Sequence, residues 1–177
     1  MATNQVQLPE PWLRGTLTEV PAVIRAVLHA LELAREDADR WCGELTGLEL
    51  NTRPMGLPPV SFHLRHISGS VDRLLTYAEG RELSEQQLAD LKREAEPAGA
   101  LPRTLLLEFG RSVERAADRI RAFAGADLEA QRFVGRKRLP TSVGGLLVHV
   151  ADHTQRHTGQ MVTTAKLVRA STSPASQ

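Results

Sequence analysis

Four long segments of this 177-residue chain carry an apolar residue at every third or fourth position, which is the period of one face of an α-helix. Such segments bury their apolar faces by packing helix against helix. Period-two alternation, which is typical of a half-buried strand, does not persist over enough residues to predict a sheet. The sequence therefore predicts an all-α fold: a four-helix bundle with one short extra helix and no strand.

Proline, glycine and capping residues set the predicted boundaries in the first part of the chain. Residues 1–15 are expected to form an extended arm, pinned to the bundle by its tryptophan and the leucine that follows it. The capping-box spacing of Thr16 and Glu19 predicts the start of the first long helix, which is expected to end near Gly47. Residues 48–58 contain two prolines and a glycine and are interpreted as a loop.

Three further helices are predicted in the middle of the chain. The second long helix is expected to open at the pair Pro58 and Pro59 and to stop at Gly80. A short helix is expected from about 84 to 95, introduced by another capping-box spacing. The third long helix is expected to run from Pro102 to the residue before Gly125.

The last part of the chain is expected to hold the fourth long helix. A polar connection over residues 125–140 leads to it, with Thr141 or Ser142 as its N-cap. The whole bundle is interpreted as one domain over residues 1–170. Residues 171–177 are small and polar and are expected to be a disordered tail.

Composition restricts the classes of function. The chain has 22 Lys and Arg against 21 Asp and Glu, a net charge of +1, which gives no electrostatic footprint for nucleic acid or for an anionic membrane. Neither a signal-peptide pattern nor an apolar stretch of membrane-spanning length is found. The single cysteine, Cys42, permits no intrachain disulfide and is interpreted as a small buried hydrophobic residue. We therefore expect a cytoplasmic protein without nucleic-acid or membrane partners.

Five of the six histidines fall on the second and fourth long helices. His153 and His157 are four residues apart, so they lie one turn apart on one helix face and can reach a single metal ion. His149 and His153 have the same spacing, but the helical wheel places His153 and His157 nearer the apolar face than His149. A third histidine from another helix would complete a three-ligand site with open positions. On the second helix, His63 and His66 both remain candidates.

Other residues near these histidines have weaker interpretations. Gly144, Gly145 and Gly159 lie inside the predicted fourth helix, where they indicate either close helix packing or room for a substrate or a dimer partner. Gln160 is a candidate for a hydrogen bond to a metal ligand. The basic run at residues 136–138 is interpreted as a solvated loop.

Two segments of the chain resemble the DinB-like superfamily, which includes the YfiT-like metalloenzymes. One is residues 62–80, which begin with the sequence Phe-His-Leu-Arg-His-Ile. The other is residues 149–160, which carry the pattern of a histidine, three residues, a second histidine, one residue, glycine and glutamine. Four residues fit that pattern: His153, His157, Gly159 and Gln160. Thr158 stands where the family frequently has arginine.

The resemblance implies a fold and a set of ligands. It implies a four-helix bundle with up-down-down-up connection, often as a homodimer. In the family, the second histidine of the His-x-x-His-Ile context binds the metal, which selects His66 over His63. The implied ligands are therefore His66, His153 and His157, and the implied ion is divalent, commonly nickel or zinc.

The resemblance also implies a class of activity. It suggests a metal-dependent enzyme acting on a small molecule, either a thiol-dependent S-transferase or isomerase using a low-molecular-weight thiol, or a hydrolase; no catalytic residue is identified. One alternative is a non-catalytic, metal-stabilised, dimeric stress-response or binding protein. Another is a purely structural bundle whose histidines pack without metal.

Overall fold

The computed structural model of the protein describes residues 8–99 and 101–172 and is mostly helical. The described residues form six α-helices, two short 3-10 helices and one two-stranded sheet. The α-helices are α1 (Ala22–Cys42), α2 (Gly47–Asn51), α3 (Val60–Ala78), α4 (Glu85–Arg93), α5 (Pro102–Arg121) and α6 (Val143–Thr172). The 3-10 helices are Pro11–Leu13 and Pro54–Gly56, and the strands are β1 (Gln131–Val134) and β2 (Leu139–Ser142).

The four long helices share one apolar core. Helix α6 packs against α1 and α3, and α5 packs against the same two helices. Leu31, Leu64, Ile120 and Leu147, one from each long helix, are almost completely buried. Burial of a side chain of this size stabilises the fold by about 1.5–3 kcal/mol. The packing fixes α3 beside α6, and these two helices carry five of the six histidines.

Helices α3 and α4 begin and end as the sequence predicts. Helix α3 follows Pro59, and Gly80, at a φ of +77°, lies just beyond its end. The hydroxyl of Ser84 accepts a hydrogen bond from the backbone N–H of Gln87, whose side chain accepts one from the backbone of Ser84. The predicted capping box of α4 is therefore confirmed.

The predicted boundaries of the first helix are wrong at both ends. Leu17 has a φ of +58°, which interrupts the chain between the two residues expected to form a capping box, and α1 begins only at Ala22. The helix ends at Cys42 rather than near Gly47. A capping box does form at Thr46, and it starts α2 inside the segment that was expected to be a loop.

The N-terminal arm is held by residues other than those predicted. Trp12 and Leu13 are 62% and 57% exposed, so they do not pin the arm to the bundle. Pro11 is buried instead. The guanidinium of Arg14 donates to the Glu36 carboxylate on α1 at 2.6 Å. The Arg14–Glu36 ion pair therefore attaches the arm to α1, the role that the sequence predicts for Trp12 and Leu13.

The expectation of no strand is wrong, because β1 and β2 pair as an antiparallel hairpin with Gln131 opposite Ser142. Each strand has only four residues, and Pro140 lies within β2, so the sequence gives too short a pattern for period two to be recognised. The backbone N–H of Gly145 donates to the hydroxyl of Ser142 at 3.1 Å, which confirms Ser142 as the N-cap of α6.

Helix α6 includes residues 171 and 172, and residues 173–177 of the predicted tail lie outside the described residues. Across the described part of the chain, none of the helices is both long and apolar enough to cross a membrane.

Candidate metal centre

Three histidines meet where α3 lies against α6. His66 comes from α3, and His153 and His157 come from successive turns of α6; one ring nitrogen of each lies within 4.8 Å of the others. The Nε2 atoms of His66 and His153 are 3.0 Å apart. Two nitrogens bound to one zinc ion at about 2.0–2.1 Å in tetrahedral geometry lie about 3.3–3.4 Å apart, so the side chains are already near the spacing that an ion requires.

Glu94, just beyond the C-terminus of α4, determines which nitrogen of His66 is available. Its Oε2 lies 2.7 Å from His66 Nδ1, and a carboxylate can only accept, so Nδ1 carries the proton. In the neutral form of the ring, Nε2 is then the unprotonated nitrogen, and it faces His153. A carboxylate behind a histidine in this manner orients the ring and raises its basicity toward a metal. Sequence reasoning did not identify Glu94.

The Glu94 carboxylate is itself held by an ion pair. Arg73 Nη1 donates to Glu94 Oε1 at 2.6 Å, and both residues are more than nine-tenths buried. Burial alone would raise the pKa of Glu94, but the hydrogen bonds from His66 and Arg73 outweigh it and hold the pKa below its ordinary value. The carboxyl group is therefore ionised when it accepts from His66.

Gly69 provides the space for this ion pair. A Cβ atom at position 69 would lie 2.3 Å from Glu94 Oε1 and 2.7 Å from Arg73 Nη1. Both distances are shorter than any van der Waals contact, so a side chain at this position would displace the pair. The glycine lies one turn before the arginine on the same helix, and it is the only residue type that leaves that volume empty.

Burial favours the neutral form of two histidines of α6, His153 and His157. Burial, and then the neighbouring charges of His157 and His66, lower the pKa of His153 from 6.5 to about 4. Burial, and then the charges of His66 and Arg156, also lower the pKa of His157. Metal ligation requires the neutral imidazole, so the environment keeps these side chains in the form that binds an ion.

His63 lies beside the cluster rather than in it. Its Nδ1 is 3.2 Å from Nδ1 of His157. The side chain is buried, and among the described residues no group forms a hydrogen bond with its Nε2. Burial, followed by the charges of His157 and His66, lowers the pKa of His63 to about 4. The geometry thus gives the two histidines of α3 different positions: His66 faces the cluster, and His63 lies behind His157.

A cavity of about 400 Å³ adjoins the cluster at His63. Its other walls come from the segment before α3 and from one face of α6. The lining residues are Leu57, Pro58, Arg156, Gly159, Gln160, Thr163 and Thr164. Gln160, expected to support a metal ligand, is exposed and lines this cavity.

The three glycines of α6 have different surroundings. A Cβ at Gly144 would lie 3.1 Å from the carbonyl oxygen of Leu128, and one at Gly145 would lie 2.9 Å from the hydroxyl of Thr141, so these two serve close packing. A Cβ at Gly159 would meet none of the described atoms within 4 Å beyond the backbone of its own helix. A glycine inside a helix costs about 1 kcal/mol relative to alanine, and at Gly159 packing does not explain that cost.

The remaining titratable candidates do not join the cluster. His149 is exposed and lies 3.5 Å from the Asp152 carboxylate. His29 is buried and contacts the hydroxyl of Thr16 at 3.1 Å, so it has a structural role. Cys42 is fully buried, and burial raises the pKa of its thiol to about 12, as expected of a core residue and not of a nucleophile.

Comparison with known proteins identifies the family. The sequence model of the DinB superfamily matches residues 30–161, which include all of α3 and the part of α6 that carries the histidines. The chain therefore belongs to the DinB superfamily, which is often associated with metal ions. No similar curated protein and no similar solved structure was found.

Proposed function

We propose that the protein is a divalent-metal-dependent enzyme whose ion is held by His66, His153 and His157. The observation that carries the proposal is the convergence of one ring nitrogen from each histidine to within 4.8 Å of the others. Two features support it further: Glu94 fixes the proton of His66 on the nitrogen away from the cluster, and burial favours the neutral form of His153 and His157. Nickel and zinc are the ions that suit three imidazole ligands.

A divalent ion on three imidazoles keeps open positions and lowers the pKa of a bound water or thiol, the chemistry of a hydrolase or of a thiol-dependent transferase or isomerase. The chain itself supplies orientation and shape. Glu94 and Arg73 hold the ring of His66, and the cavity beside His63 offers space for a small-molecule substrate next to the ligands.

The architecture forms part of the same proposal. We interpret α1, α3, α5 and α6 as an up-down-down-up four-helix bundle, supported by the packing of α5 and α6 against both other helices. The homodimer and the low-molecular-weight thiol are expectations from the family resemblance and are tested separately below.

The metal site is tested by measuring bound metal. The protein is purified without a histidine tag, incubated with zinc or nickel, desalted and analysed by plasma mass spectrometry. We expect about one ion per chain for a three-ligand site. A variant with both His153→Ala and His157→Ala should retain no stoichiometric metal, while His149→Ala, an exposed histidine on the same helix, should bind like the wild type.

Absence of stoichiometric metal from the wild type after both incubations would refute the metalloenzyme proposal and favour a purely structural bundle. Circular dichroism of each variant shows whether it is folded.

Further measurements separate the kinds of metal protein. Perturbation of the cobalt- or nickel-loaded visible spectrum by a low-molecular-weight thiol is expected for the thiol-dependent class, and ester hydrolysis without a thiol for the hydrolase class. Loss of stability or of a dimer on metal removal, with a spectrum that no added ligand perturbs, is expected for the non-catalytic binding protein. Sedimentation of the metal-loaded and metal-free protein gives the oligomeric state.

A further inference from the structure

His63 and His157 meet through one nitrogen of each ring. The Nδ1 atoms of the two side chains are 3.2 Å apart, which is within hydrogen-bonding distance. The ring centroids are 5.5 Å apart and the ring planes are inclined at 43°. A hydrogen bond between two imidazole nitrogens needs one proton, so one of these Nδ1 atoms donates and the other accepts.

This contact determines which nitrogen of His157 is left for an ion. Each imidazole nitrogen offers either one hydrogen or one lone pair, so Nδ1 of His157 does not serve both His63 and an ion. His157 is one of the three residues whose ring nitrogens converge to within 4.8 Å of one another. Its Nε2 atom is therefore the nitrogen that it has left to bind the ion.

Ligation through Nε2 sets the direction of the hydrogen bond. When Nε2 of a neutral imidazole binds an ion, the ring proton is on Nδ1. His157 then donates that proton to Nδ1 of His63. In the opposite arrangement His63 donates, and the proton of His157 lies on Nε2, where it blocks ligation. Binding of an ion therefore selects the arrangement in which His63 accepts.

The burial of His63 makes a neutral acceptor suitable at this position. The side chain is 1% exposed. A carboxylate buried this deeply would need a cation partner, such as the arginine that accompanies Glu94. A neutral imidazole accepts the hydrogen bond of His157 without bringing a charge into the core.

Packing alone does not explain a histidine at position 63. Among the described residues no group forms a hydrogen bond with its Nε2. That nitrogen is unpaired whether or not it carries the proton, and an unpaired buried polar atom destabilises the folded chain. An apolar side chain would avoid this cost, so the contact with His157 is the feature that favours histidine here.

We propose that His63 is a positioning residue for the metal ligand His157: its Nδ1 accepts the Nδ1 hydrogen of His157 and holds Nε2 of that ring toward the ion. The inference rests on the proposed function, since it assigns a role toward the ion of the three-histidine site. His63 acts on His157 as Glu94 acts on His66. Helix α3 thus carries a ligand and, three residues earlier, the acceptor for a ligand of α6.

Two variants of similar shape test the acceptor. His63→Asn and His63→Leu both remove the imidazole ring, but only asparagine keeps an oxygen near the position of Nδ1. Affinities for zinc and for nickel are measured by competition with a chelator. We expect His63→Leu to bind the ion at least about tenfold more weakly than the wild type, and His63→Asn to recover most of that loss.

His29→Leu is the matched control, because it also replaces a buried histidine with leucine. His29 lies on α1, contacts the hydroxyl of Thr16 and is not part of the cluster. This variant should bind the ion like the wild type. Circular dichroism shows whether each variant is folded.

The proton positions are measured in the zinc-loaded wild type, which requires no substitution to fold. Long-range proton–nitrogen correlation NMR of the histidine rings distinguishes protonated, unprotonated and metal-bound nitrogens. We expect His157 to carry its proton on Nδ1 and the ion on Nε2, and His63 to carry its proton on Nε2. The His63 signals are assigned by their loss in His63→Asn.

Three results would each overturn the inference while the metal site stands. They are wild-type affinity in His63→Leu, equal losses of affinity in His63→Leu and His63→Asn, and a proton on Nδ1 of His63 in the zinc-loaded protein. A wild type that binds neither zinc nor nickel would overturn the proposed metal site and the inference with it.

Discussion

Glu94 Oε2 accepts a hydrogen bond from His66 Nδ1 at 2.7 Å across 28 residues of sequence. The same carboxylate accepts from Arg73 at 2.6 Å through its other oxygen. One buried acidic side chain thus connects an arginine of α3 to a histidine of the same helix and sets the proton position of that histidine. In the proposed metal site, affinity for the ion would therefore depend on Glu94 and Arg73, which would not themselves touch it.

We predict that Glu94→Gln weakens metal binding by about 10- to 100-fold, because the amide cannot orient and polarise the His66 ring as a carboxylate does. Isothermal titration calorimetry with zinc measures the change. Glu96→Gln, two residues away on an exposed side chain, is the matched control and should bind like the wild type. Unchanged affinity in Glu94→Gln would show that the hydrogen bond has no role in metal binding.

We predict that Gly69→Ala lowers both stability and metal affinity. The new methyl group would lie 2.3 Å from Glu94 Oε1, so the Arg73–Glu94 pair must shift and the His66 ring loses its acceptor. The free energy of unfolding should fall by about 1–3 kcal/mol, the usual cost of overpacking a buried site. Urea denaturation and zinc titration measure the two effects.

Gly159→Ala is the control for that substitution, since both change a helical glycine to alanine. At Gly159 the methyl group meets no packed neighbour among the described residues, so this variant should gain stability by up to about 1 kcal/mol. If the two variants had the same stability, crowding at Gly69 would not be the cause of the effect.

We predict that the metal-free protein loses stability as the pH falls below about 6.5. Burial, with neighbouring imidazole charges, lowers the pKa of His63 and of His153 from 6.5 to about 4 in the folded chain. The unfolded chain therefore takes up protons that the folded chain does not, and the free energy of unfolding decreases from pH 6.5 until the folded groups titrate near pH 4. Urea midpoints between about pH 7.5 and about pH 5 measure this slope.

His153→Gln removes one of the depressed groups and should flatten that pH profile. A wild-type profile already flat over this interval would contradict the prediction, because it would mean that the histidines titrate alike in the folded and unfolded chains.

The sequence predicts the boundaries of α3 and α4 well, but not those of α1. The Ser84–Gln87 spacing marks the start of α4, and the Pro59 and Gly80 boundaries enclose α3. Where capping and periodicity conflict, prediction fails: apolar periodicity continues past Cys42, while the Thr46 capping box starts a separate helix. Local spacing cannot decide between them, because the break depends on how the segment packs.

The candidate site is likewise predictable from the sequence only where it depends on local spacing. The spacing of His153 and His157 is a local property of one helix, so it is visible in the sequence. Whether His63 or His66 faces them depends on the rotation of α3 against α6, which a single helix does not specify. Glu94 and Gly69 are even harder to identify from the sequence, because their contact exists only after α4 has folded back onto α3.

Helix α4 itself buries none of its nine residues, yet it positions the buried Glu94 just beyond its end. Its attachment to α3 includes bonds from the Gln87 amide to Asp72 and Thr76, at 2.6 and 2.8 Å. An element held mainly by polar surface contacts opens locally at a lower free energy than the core does. Opening of α4 would carry Glu94 away from His66 while the four long helices stay packed. The affinity of the proposed metal site would then vary with local opening of α4, without unfolding of the four long helices.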